Sequence, residues 1–308
     1  MSMGLRIVFM GTPEFAVDTL EAICASKHSV VAVVTAPDRP QGRGLQLMPS
    51  AVKTCALKHQ LQVLQPEKLK DPGFQEELKN FNADLFVVVA FRMLPESVWN
   101  MPRLGTYNLH ASLLPQYRGA APINWAIIRG EKESGVTTFR IRHEIDTGNI
   151  LFQERVPINT EDDAGTLYDK LKRIGSQLVV KTLDAIEDGN ATEIQQPSDL
   201  GELRSAPKIF RETCEINWNQ PAEGVRNFIR GLSPYPSAWT NLNGKTYKIH
   251  RITNAQVNKP AAPGTTDTDQ RTYLNIRTQD SWISVLELQP EGKKRMSITD
   301  FFRGNKLG

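Results

Sequence analysis

The sequence predicts an α/β protein with an open, mostly parallel sheet, followed by a small antiparallel β-barrel. Short apolar runs alternate with helical patterns in roughly the first 185 residues, a polar stretch follows, and short strands separated by turns make up the rest. A chain of 308 residues also exceeds the size of one typical domain. We therefore predict one domain over 1–188, a linker over 189–207 and a second domain over 208–308.

The first two apolar runs read as buried parallel strands. LRIVFM (5–10) and SVVAVVT (29–35) are apolar throughout, as strands covered on both faces are. Between them, Thr12, Pro13 and Glu14 supply a cap, a first-turn proline and an acid, which predicts that a helix begins there.

The remainder of the first domain repeats this alternation. The pattern predicts helices over 51–59, over 73–80 and from Ala164 to about Asp188. It predicts strands at QVLQ (62–65), ADLFVVVA (83–90) and GTYNLHA (105–111), and a pair that closes the sheet at VTTFRIR (136–142) and NILFQERVPI (149–158).

The C-terminal region has a different pattern and a different charge. A helix at 221–231 precedes short strands separated by turns, which is typical of a small OB-like barrel. Those strands are predicted at SAWTNL (237–242), KTYKIHRI (245–252), TYLNIRT (272–278) and SWISVLELQ (281–289). Residues 207–308 carry a net charge of +6 and the remainder −3. This asymmetry indicates either a polyanionic partner or a mildly basic surface.

Several classes of protein are disfavoured. The longest apolar run, Leu85 to Phe91, is too short to span a membrane, and the N-terminus lacks the features of a signal peptide. Cys24, Cys55 and Cys214 are odd in number and form no CxxC pair, which predicts reduced thiols in a cytoplasmic protein and no metal site. The first strand–helix turn, MGTPEF, lacks the GxGxxG of a dinucleotide site, so we expect no NAD and disfavour an oxidoreductase.

Polar residues at the end of one predicted strand are candidates for catalysis. Asn108 and His110 stand two residues apart, so their side chains project together from the carboxyl end of a parallel strand. An asparagine amide can donate to an oxyanion and a neutral histidine can accept a proton. A purely structural hydrogen-bonding role remains open for both residues.

Two further segments hold candidate residues. Asp146 begins Asp-Thr-Gly after a predicted strand, where it serves either as a turn former or as a functional carboxylate. AFRMLP (90–95) follows the most hydrophobic strand, at the same edge of the sheet.

Longer motifs join these pieces, and with them the chain resembles the folate-dependent formyltransferases along nearly its whole length. It is most similar to the members that act on tRNA. The resemblance rests on FMGTPEF, PDRPQGRG followed by LMPSAVK, VVVAFRMLP, NLHASLLPQYRGAAPINWAI, EIDTG, DDAGTLYDKL, YPSAW and LQPEGKKRM.

The resemblance implies a Rossmann-like formyltransferase fold and a reaction. The chain would transfer the formyl group of 10-formyltetrahydrofolate to the α-amino group of methionine on initiator methionyl-tRNA, for translation initiation. It would need no metal, and we expect a monomer.

The resemblance also assigns residues. Catalytic positions match Asn108, His110 and Asp146. The folate site matches Arg92, Met93, Leu94, Ser112, Leu113, Leu114 and Pro115. A tRNA-facing loop over Pro37–Met48 holds Arg39 and Arg43, and we add the basic run of Lys293, Lys294 and Arg295 in the C-terminal domain. Leu45 and Gln46 stand where related enzymes often have lysines, so we expect this loop to bind tRNA more weakly.

Two alternatives remain within reach of the sequence. One is a formyltransferase that acts on another amine, such as a glycinamide ribonucleotide or an amino-sugar nucleotide, which the long loop and the basic C-terminal domain disfavour. The other is a non-catalytic RNA-binding protein with the same fold, which the Asn, His and Asp set disfavours.

Overall fold

The computed structural model describes residues 4–41, 46–197 and 201–307. They form two compact units that interleave in sequence. The first comprises the described parts of Met1–Gly119, Ser134–Val156 and Tyr168–Ser205, and the second those of Ala120–Glu133, Pro157–Leu167 and Ala206–Gly308. The predicted boundaries at 1–188, 189–207 and 208–308 stay a prediction.

The strands and helices are as follows. The strands are β1 (Arg6–Gly11), β2 (Ser29–Val34), β3 (Arg39–Gln41), β4 (Gln46–Met48), β5 (Val63–Leu64), β6 (Leu85–Val89), β7 (Thr106–His110), β8 (Arg118–Gly119), β9 (Glu133–Arg140), β10 (Ile150–Pro157), β11 (Ser205–Ala206), β12 (Ala238–Leu242), β13 (Lys245–Asn254), β14 (Thr266–Thr268), β15 (Leu274–Arg277), β16 (Trp282–Pro290) and β17 (Met296–Ser297). The α-helices are α1 (Val17–Cys24), α2 (Ala51–Lys58), α3 (Pro72–Asn80), α4 (Glu96–Trp99), α5 (Pro122–Ile128), α6 (Ala164–Glu187), α7 (Ala222–Leu232) and α8 (Ile298–Gly304).

A seven-stranded sheet forms the centre of the first unit, in the order β10-β9-β7-β6-β1-β2-β5. The pairs β1–β2, β1–β6, β6–β7 and β2–β5 are parallel, and β9 runs antiparallel to β7. The predicted open, mostly parallel sheet is therefore confirmed. Because β1, β6 and β7 are parallel neighbours, their carboxyl ends lie at one edge of the sheet.

The central strands are buried on both faces, which is why they are apolar without alternation. Ile7 and Phe9 point to one side of β1 and Val8 and Met10 to the other, and all four are fully buried. Burying one large aliphatic side chain contributes about 1.5–3 kcal/mol, so this strand anchors the core on both faces.

The first two helices begin in different ways. Ser50 caps α2, since its Oγ accepts from the Lys53 N–H at 3.0 Å. Thr12 was expected to cap the first helix, but it does not. The chain enters through Pro13 in extended backbone, without a side-chain cap, and closes a 3-10 turn over Glu14–Ala16 before α1 begins.

The second unit holds the predicted antiparallel β domain. Its strands lie in the order β12-β13-β16-β15-β14, with β17 paired to β16. Helix α7 contributes Val225, Ile229 and Leu232, spaced along one face, to a core that also buries Tyr247 and Phe301. The last two rings meet edge to face with centroids 5.8 Å apart.

Short elements escaped the sequence prediction because their patterns are brief. The β3–β4 hairpin pairs Arg39 with Met48, and α5 and α8 have seven residues each. Two turns of helix carry too few apolar repeats to stand out from a loop. Among the described residues, none of the helices is both long enough and apolar enough to cross a membrane.

Candidate active site

Asn108 and His110 lie on β7, between β6 and β9 in the middle of the sheet. The two residues are separated by one position, so both side chains leave the same face of the strand. His110 is the last residue of β7 and is 6% exposed, whereas Asn108 is partly exposed. The strand thus holds both polar side chains on rigid backbone at the sheet edge where ligands of open α/β proteins bind.

One tautomer of His110 is fixed by its surroundings. Its Nε2 lies 2.9 Å from the Tyr117 carbonyl oxygen. A carbonyl can only accept, so Nε2 carries the hydrogen and donates it. In the neutral ring Nδ1 is then left with its lone pair, and it lies 3.8 Å from Oδ2 of Asp146. If Nδ1 took up a proton, the positively charged ring would lie beside the Asp146 carboxylate.

Asp146 is held in an unusual backbone conformation. Its φ is +55°, which a non-glycine residue adopts only when neighbouring contacts enforce it. Its Oδ2 accepts from the Gly119 N–H at 2.9 Å. Two residues later, a Cβ at Gly148 would stand 1.6 Å from the Arg140 carbonyl oxygen, so this turn accepts only glycine there.

Gln196 supplies the contacts that fix the Asp146 turn, and no sequence pattern predicts this role. Its Nε2 donates to the carbonyl oxygens of Asp146 and Gly148, both at 2.8 Å. Its Oε1 accepts from Arg118, from Nη2 at 2.6 Å and from Nε at 3.2 Å. Gln196 is 7% exposed, although it lies in the stretch predicted as a linker. No local pattern distinguishes it from the exposed Gln195 beside it.

The segment after β7 is fixed by hydrogen bonds. Ser112 donates its hydroxyl to the Gln116 carbonyl at 2.6 Å. The Thr137 hydroxyl donates to the Ser112 carbonyl at 2.6 Å and accepts from the Leu114 N–H at 3.2 Å. Leu114 and Pro115 are buried, and Leu113 is half-buried. The predicted folate residues on this segment therefore form a rigid apolar wall.

The segment after β6 presents backbone rather than a cation. Arg92 donates its guanidinium to the carbonyl oxygens of Pro66 and Glu67, which engages the charged group within the protein. Met93 is 73% exposed and Leu94 is buried. The three predicted folate residues here offer main-chain groups and the Met93 thioether.

The described residues among the predicted tRNA contacts are exposed at the surface. Arg39 is exposed on β3, and Arg43 lies outside the described residues. In the second unit, Lys293, Lys294 and Arg295 are exposed between β16 and β17. Lys293 donates to Asn305 at 2.6 Å and Arg295 to Glu287 at 2.6 Å, so this run is partly engaged within its own unit.

The arrangement at the sheet edge combines three chemical capacities. Asn108 offers an amide donor, the neutral His110 offers a lone pair on Nδ1, and Asp146 offers a negative charge to a protonated ring. Such a set suits acyl transfer, in which an oxyanion forms and a proton leaves the nucleophile.

Comparison with protein families covers both parts of the chain. A family model described as Formyl transferase matches residues 5–183, and one described as Formyl transferase, C-terminal domain, matches residues 208–306. The first range includes Asn108, His110 and Asp146 and the second includes the strands of the antiparallel domain, whereas Gln196 lies between the two ranges.

Individual relatives agree with these matches. A methionyl-tRNA formyltransferase of Parabacteroides distasonis is 53% identical over 311 residues, covering 98% of this chain and 96% of the relative. One of Flavobacterium johnsoniae is 47% identical, covering 97% and 96%.

Solved structures share the fold at lower identity. An N-formyltransferase of Helicobacter canadensis with folinic acid and dTDP-3-aminofucose has a TM-score of 0.66 at 23% identity, covering 93% of this chain and 99% of that one. A methionyl-tRNA formyltransferase of Clostridium thermocellum has a TM-score of 0.55 at 15% identity, covering 81% and 93%.

Because Gln196 holds the Asp146 turn, replacing it should lower the stability of the protein. Gln196→Met keeps the length of the side chain but leaves the buried acceptors on Asp146 and Gly148 without a donor. We expect the free energy of unfolding to fall by about 1–3 kcal/mol, measured by chemical denaturation. Amide hydrogen exchange over 141–149 should also become faster. The exposed neighbour provides the control, since Gln195→Met should change neither quantity. Equal behaviour of the two variants would show that Gln196 does not hold the turn.

Proposed function

The chain belongs to the formyl transferase family, and we propose that it transfers the formyl group of 10-formyltetrahydrofolate to the α-amino group of methionine on initiator tRNA, for translation initiation. One observation carries this proposal. Relatives named methionyl-tRNA formyltransferase match the chain at about half identity over nearly the whole length of both partners. The geometry of the first unit supplies groups suited to the chemistry.

Asn108 would stabilise the charge that develops on oxygen. Attack of the amine on the formyl carbon forms a C–N bond and moves an electron pair onto the formyl oxygen. An amide donor already held on a strand stabilises this oxyanion without reorganising, and removing one such donor typically costs ~10²–10³ in rate. The partial exposure of Asn108 supports its access to the substrate.

His110 and Asp146 would move the proton. The amine must attack unprotonated, and because a free α-amino group titrates near ~7.7–8.0, part of it is already unprotonated at neutral pH. Its nitrogen becomes positively charged as the C–N bond forms and must then lose one proton to a base. His110 would take that proton on Nδ1, and Asp146, 3.8 Å away, would stabilise the imidazolium. His110 would then return the proton to N10 of the folate as the bond from N10 to the formyl carbon breaks. The products are formylmethionyl-tRNA and tetrahydrofolate.

The folate would lie along the segments that follow β6 and β7. Arg92, Met93 and Leu94 would contribute backbone groups, and Ser112–Pro115 would contribute the rigid wall. Flat heterocycles are commonly bound in this way, with apolar walls and a few fixed polar groups. The engagement of the Ser112 hydroxyl with Gln116 supports a role for this segment as a wall rather than as a donor.

The tRNA would be bound through its phosphates. The C-terminal region has a charge of +6 over residues 207–308, and Lys293, Lys294 and Arg295 are exposed there. Arg39 on β3 and Arg43 would add contacts from the loop over Pro37–Met48. Lysine and arginine side chains bind nucleic acid largely through the release of condensed counterions. We further propose that the chain acts as a monomer in the cytoplasm, where charged initiator tRNA is used.

A different amine is the competing substrate. The Helicobacter canadensis structure has an amino-sugar nucleotide bound, but its 23% identity to this chain supports the fold alone. The relatives near 50% identity carry the methionyl-tRNA name. The aminoacylated tRNA is therefore the acceptor that we propose.

Substrate choice tests the proposal directly. With 10-formyltetrahydrofolate as donor, the protein should formylate initiator methionyl-tRNA, and the KM for tRNA should rise steeply with salt concentration. Glycinamide ribonucleotide and a dTDP-amino sugar serve as controls and should accept formyl at least about a hundredfold less efficiently by kcat/KM, because they offer few phosphates to the basic surface. Preferential formylation of either small amine would refute the assignment.

The oxyanion role of Asn108 predicts a loss of turnover. Asn108→Asp replaces a donor with a carboxylate that repels the developing charge, so kcat should fall by about 10²–10³ or more while the protein folds normally. The same change at the exposed Asn100 is the matched control and should leave kcat unchanged. Turnover of a folded Asn108→Asp variant within threefold of wild type would make Asn108 structural.

The coupling of His110 and Asp146 predicts non-additive losses. Asp146→Asn keeps an acceptor for the Gly119 N–H but removes the charge, and His110→Ala removes the base. Each should lower kcat/KM by about 10² or more, and the double variant should be little worse than the poorer single one. Asp188→Asn, on the exposed end after α6, should have no effect. Losses that multiply in the double variant would show that the two residues act separately.

A further inference from the structure

Helices α1 and α2 bring together four side chains of types that bind metals, away from the sheet edge that holds His110. Glu21 and Cys24 are three residues apart on α1, and Cys55 and His59 are four apart on α2 and its C-cap. Residues at these spacings share one face of a helix. The helices pack against each other, so the two pairs face the same space.

The ligand atoms of three of these residues lie close together. Cys55 Sγ is 3.5 Å from Glu21 Oε1, and His59 Nε2 is 2.6 Å from Glu21 Oε2. The three side chains each offer one atom within 4.8 Å of the others. Cys55 is buried, and Glu21 and His59 are partly exposed, so the cluster is open to solvent on one side.

The cysteine spacing along the chain predicts no metal site, but Cys55 meets a carboxylate ligand from another helix, and we propose that Glu21, Cys55 and His59 bind a zinc ion. Thiolate, imidazole and carboxylate are the three side-chain ligands of zinc, with bonds of about 2.0–2.3 Å. At a tetrahedral centre such bonds place ligand atoms roughly 3.3–3.7 Å apart. The separation of Cys55 Sγ from Glu21 Oε1 is already in that range, whereas the 2.6 Å between His59 Nε2 and Glu21 Oε2 would have to widen when the ion binds.

The thiols are protonated without metal. Burial and the Glu21 carboxylate raise the pKa of Cys55 to about 12, and Cys24 adds to this shift. A coordinated metal ion removes the proton of a thiol outright, so binding releases protons and strengthens as pH rises. The negative charge of Glu21, with two nearby sulfurs, favours a borderline-soft cation over calcium or magnesium.

One lysine competes with the proposed ion. Lys58 Nζ lies 3.2 Å from Glu21 Oε1, but its side chain is 73% exposed and is free to swing into water. A second cluster, of His28 with Asp184 and Glu187, differs here. Lys27 Nζ lies 3.1 Å from Asp184 and 2.8 Å from Glu187, so an ammonium already occupies the cation position beside those carboxylates.

The zinc would fasten α2 to α1 and would not take part in formyl transfer. A ligand that binds only the folded protein raises its stability with concentration. The zinc would therefore affect the stability of the protein, independently of the proposed reaction.

Metal titration of the full-length protein tests this site. The reduced, metal-free chain is titrated with zinc against a chromophoric chelator, and with cobalt to detect thiolate-to-metal charge-transfer absorption. We expect one equivalent bound, a sulfur-to-cobalt band, and a melting temperature that rises with zinc concentration. Cys55→Ser and His59→Gln should each weaken binding by about tenfold or more, and Cys55→Ser should abolish the band.

Three further variants separate coordination from misfolding. Lys58→Gln removes the competing ammonium and should tighten zinc binding, an effect that a folding defect does not produce. Asp184→Asn, at the second cluster, should leave binding unchanged, as should Cys214→Ser in the other unit. Absence of stoichiometric zinc binding, or wild-type affinity in both Cys55→Ser and His59→Gln, would overturn the proposal.

Discussion

The site at the sheet edge depends on the hydrogen bonds that Gln196 makes to the Asp146 turn. Asp146 adopts a backbone conformation that is unfavourable for a residue with a side chain, and the main-chain oxygens of that turn face the protein interior. A buried carbonyl without a donor is costly, so the amide of Gln196 defines where the turn lies. Arg118 in turn holds Gln196 in place by donating to the Oε1 atom of Gln196. The turn that carries the carboxylate beside His110 is thus positioned by Gln196 and Arg118.

The same constraint links strand β7 to its surroundings. Tyr117 accepts from His110, and Gly119 donates to Asp146, so the segment just after the wall of Ser112–Pro115 serves both members of the pair. One short stretch of backbone therefore sets the histidine tautomer and the position of the carboxylate. Tyr117 and Gly119 act here through their main-chain groups, so this part of the motif positions the side chains of other residues.

The apolar core and the clusters of titratable side chains lie in different parts of the first unit. Apart from the exposed Arg6 at the start of β1, the strands β1 and β6 are apolar and buried on both faces. The cluster of Glu21, Cys55 and His59 lies between α1 and α2, and the pair of His110 and Asp146 lies at the end of β7. In the second unit, charge is spread over an exposed surface instead, which suits a long polyanion better than a small ligand.

The sequence by itself determined the elements and part of the site. Continuous apolar runs predicted the parallel strands, and the spacing of Asn108 and His110 predicted that their side chains share a face, because both features depend only on near neighbours along the chain. The prediction that Thr12 caps the first helix was wrong, because the chain forms a 3-10 turn over Glu14–Ala16 after β1 instead. The tertiary structure alone decided that Asp146 approaches His110, that Gln196 belongs to the site, and that Cys55 meets Glu21. These contacts join residues 34 to 50 positions apart. Local periodicity carries no information about such pairs, because their distance is set by the packing of whole strands and helices.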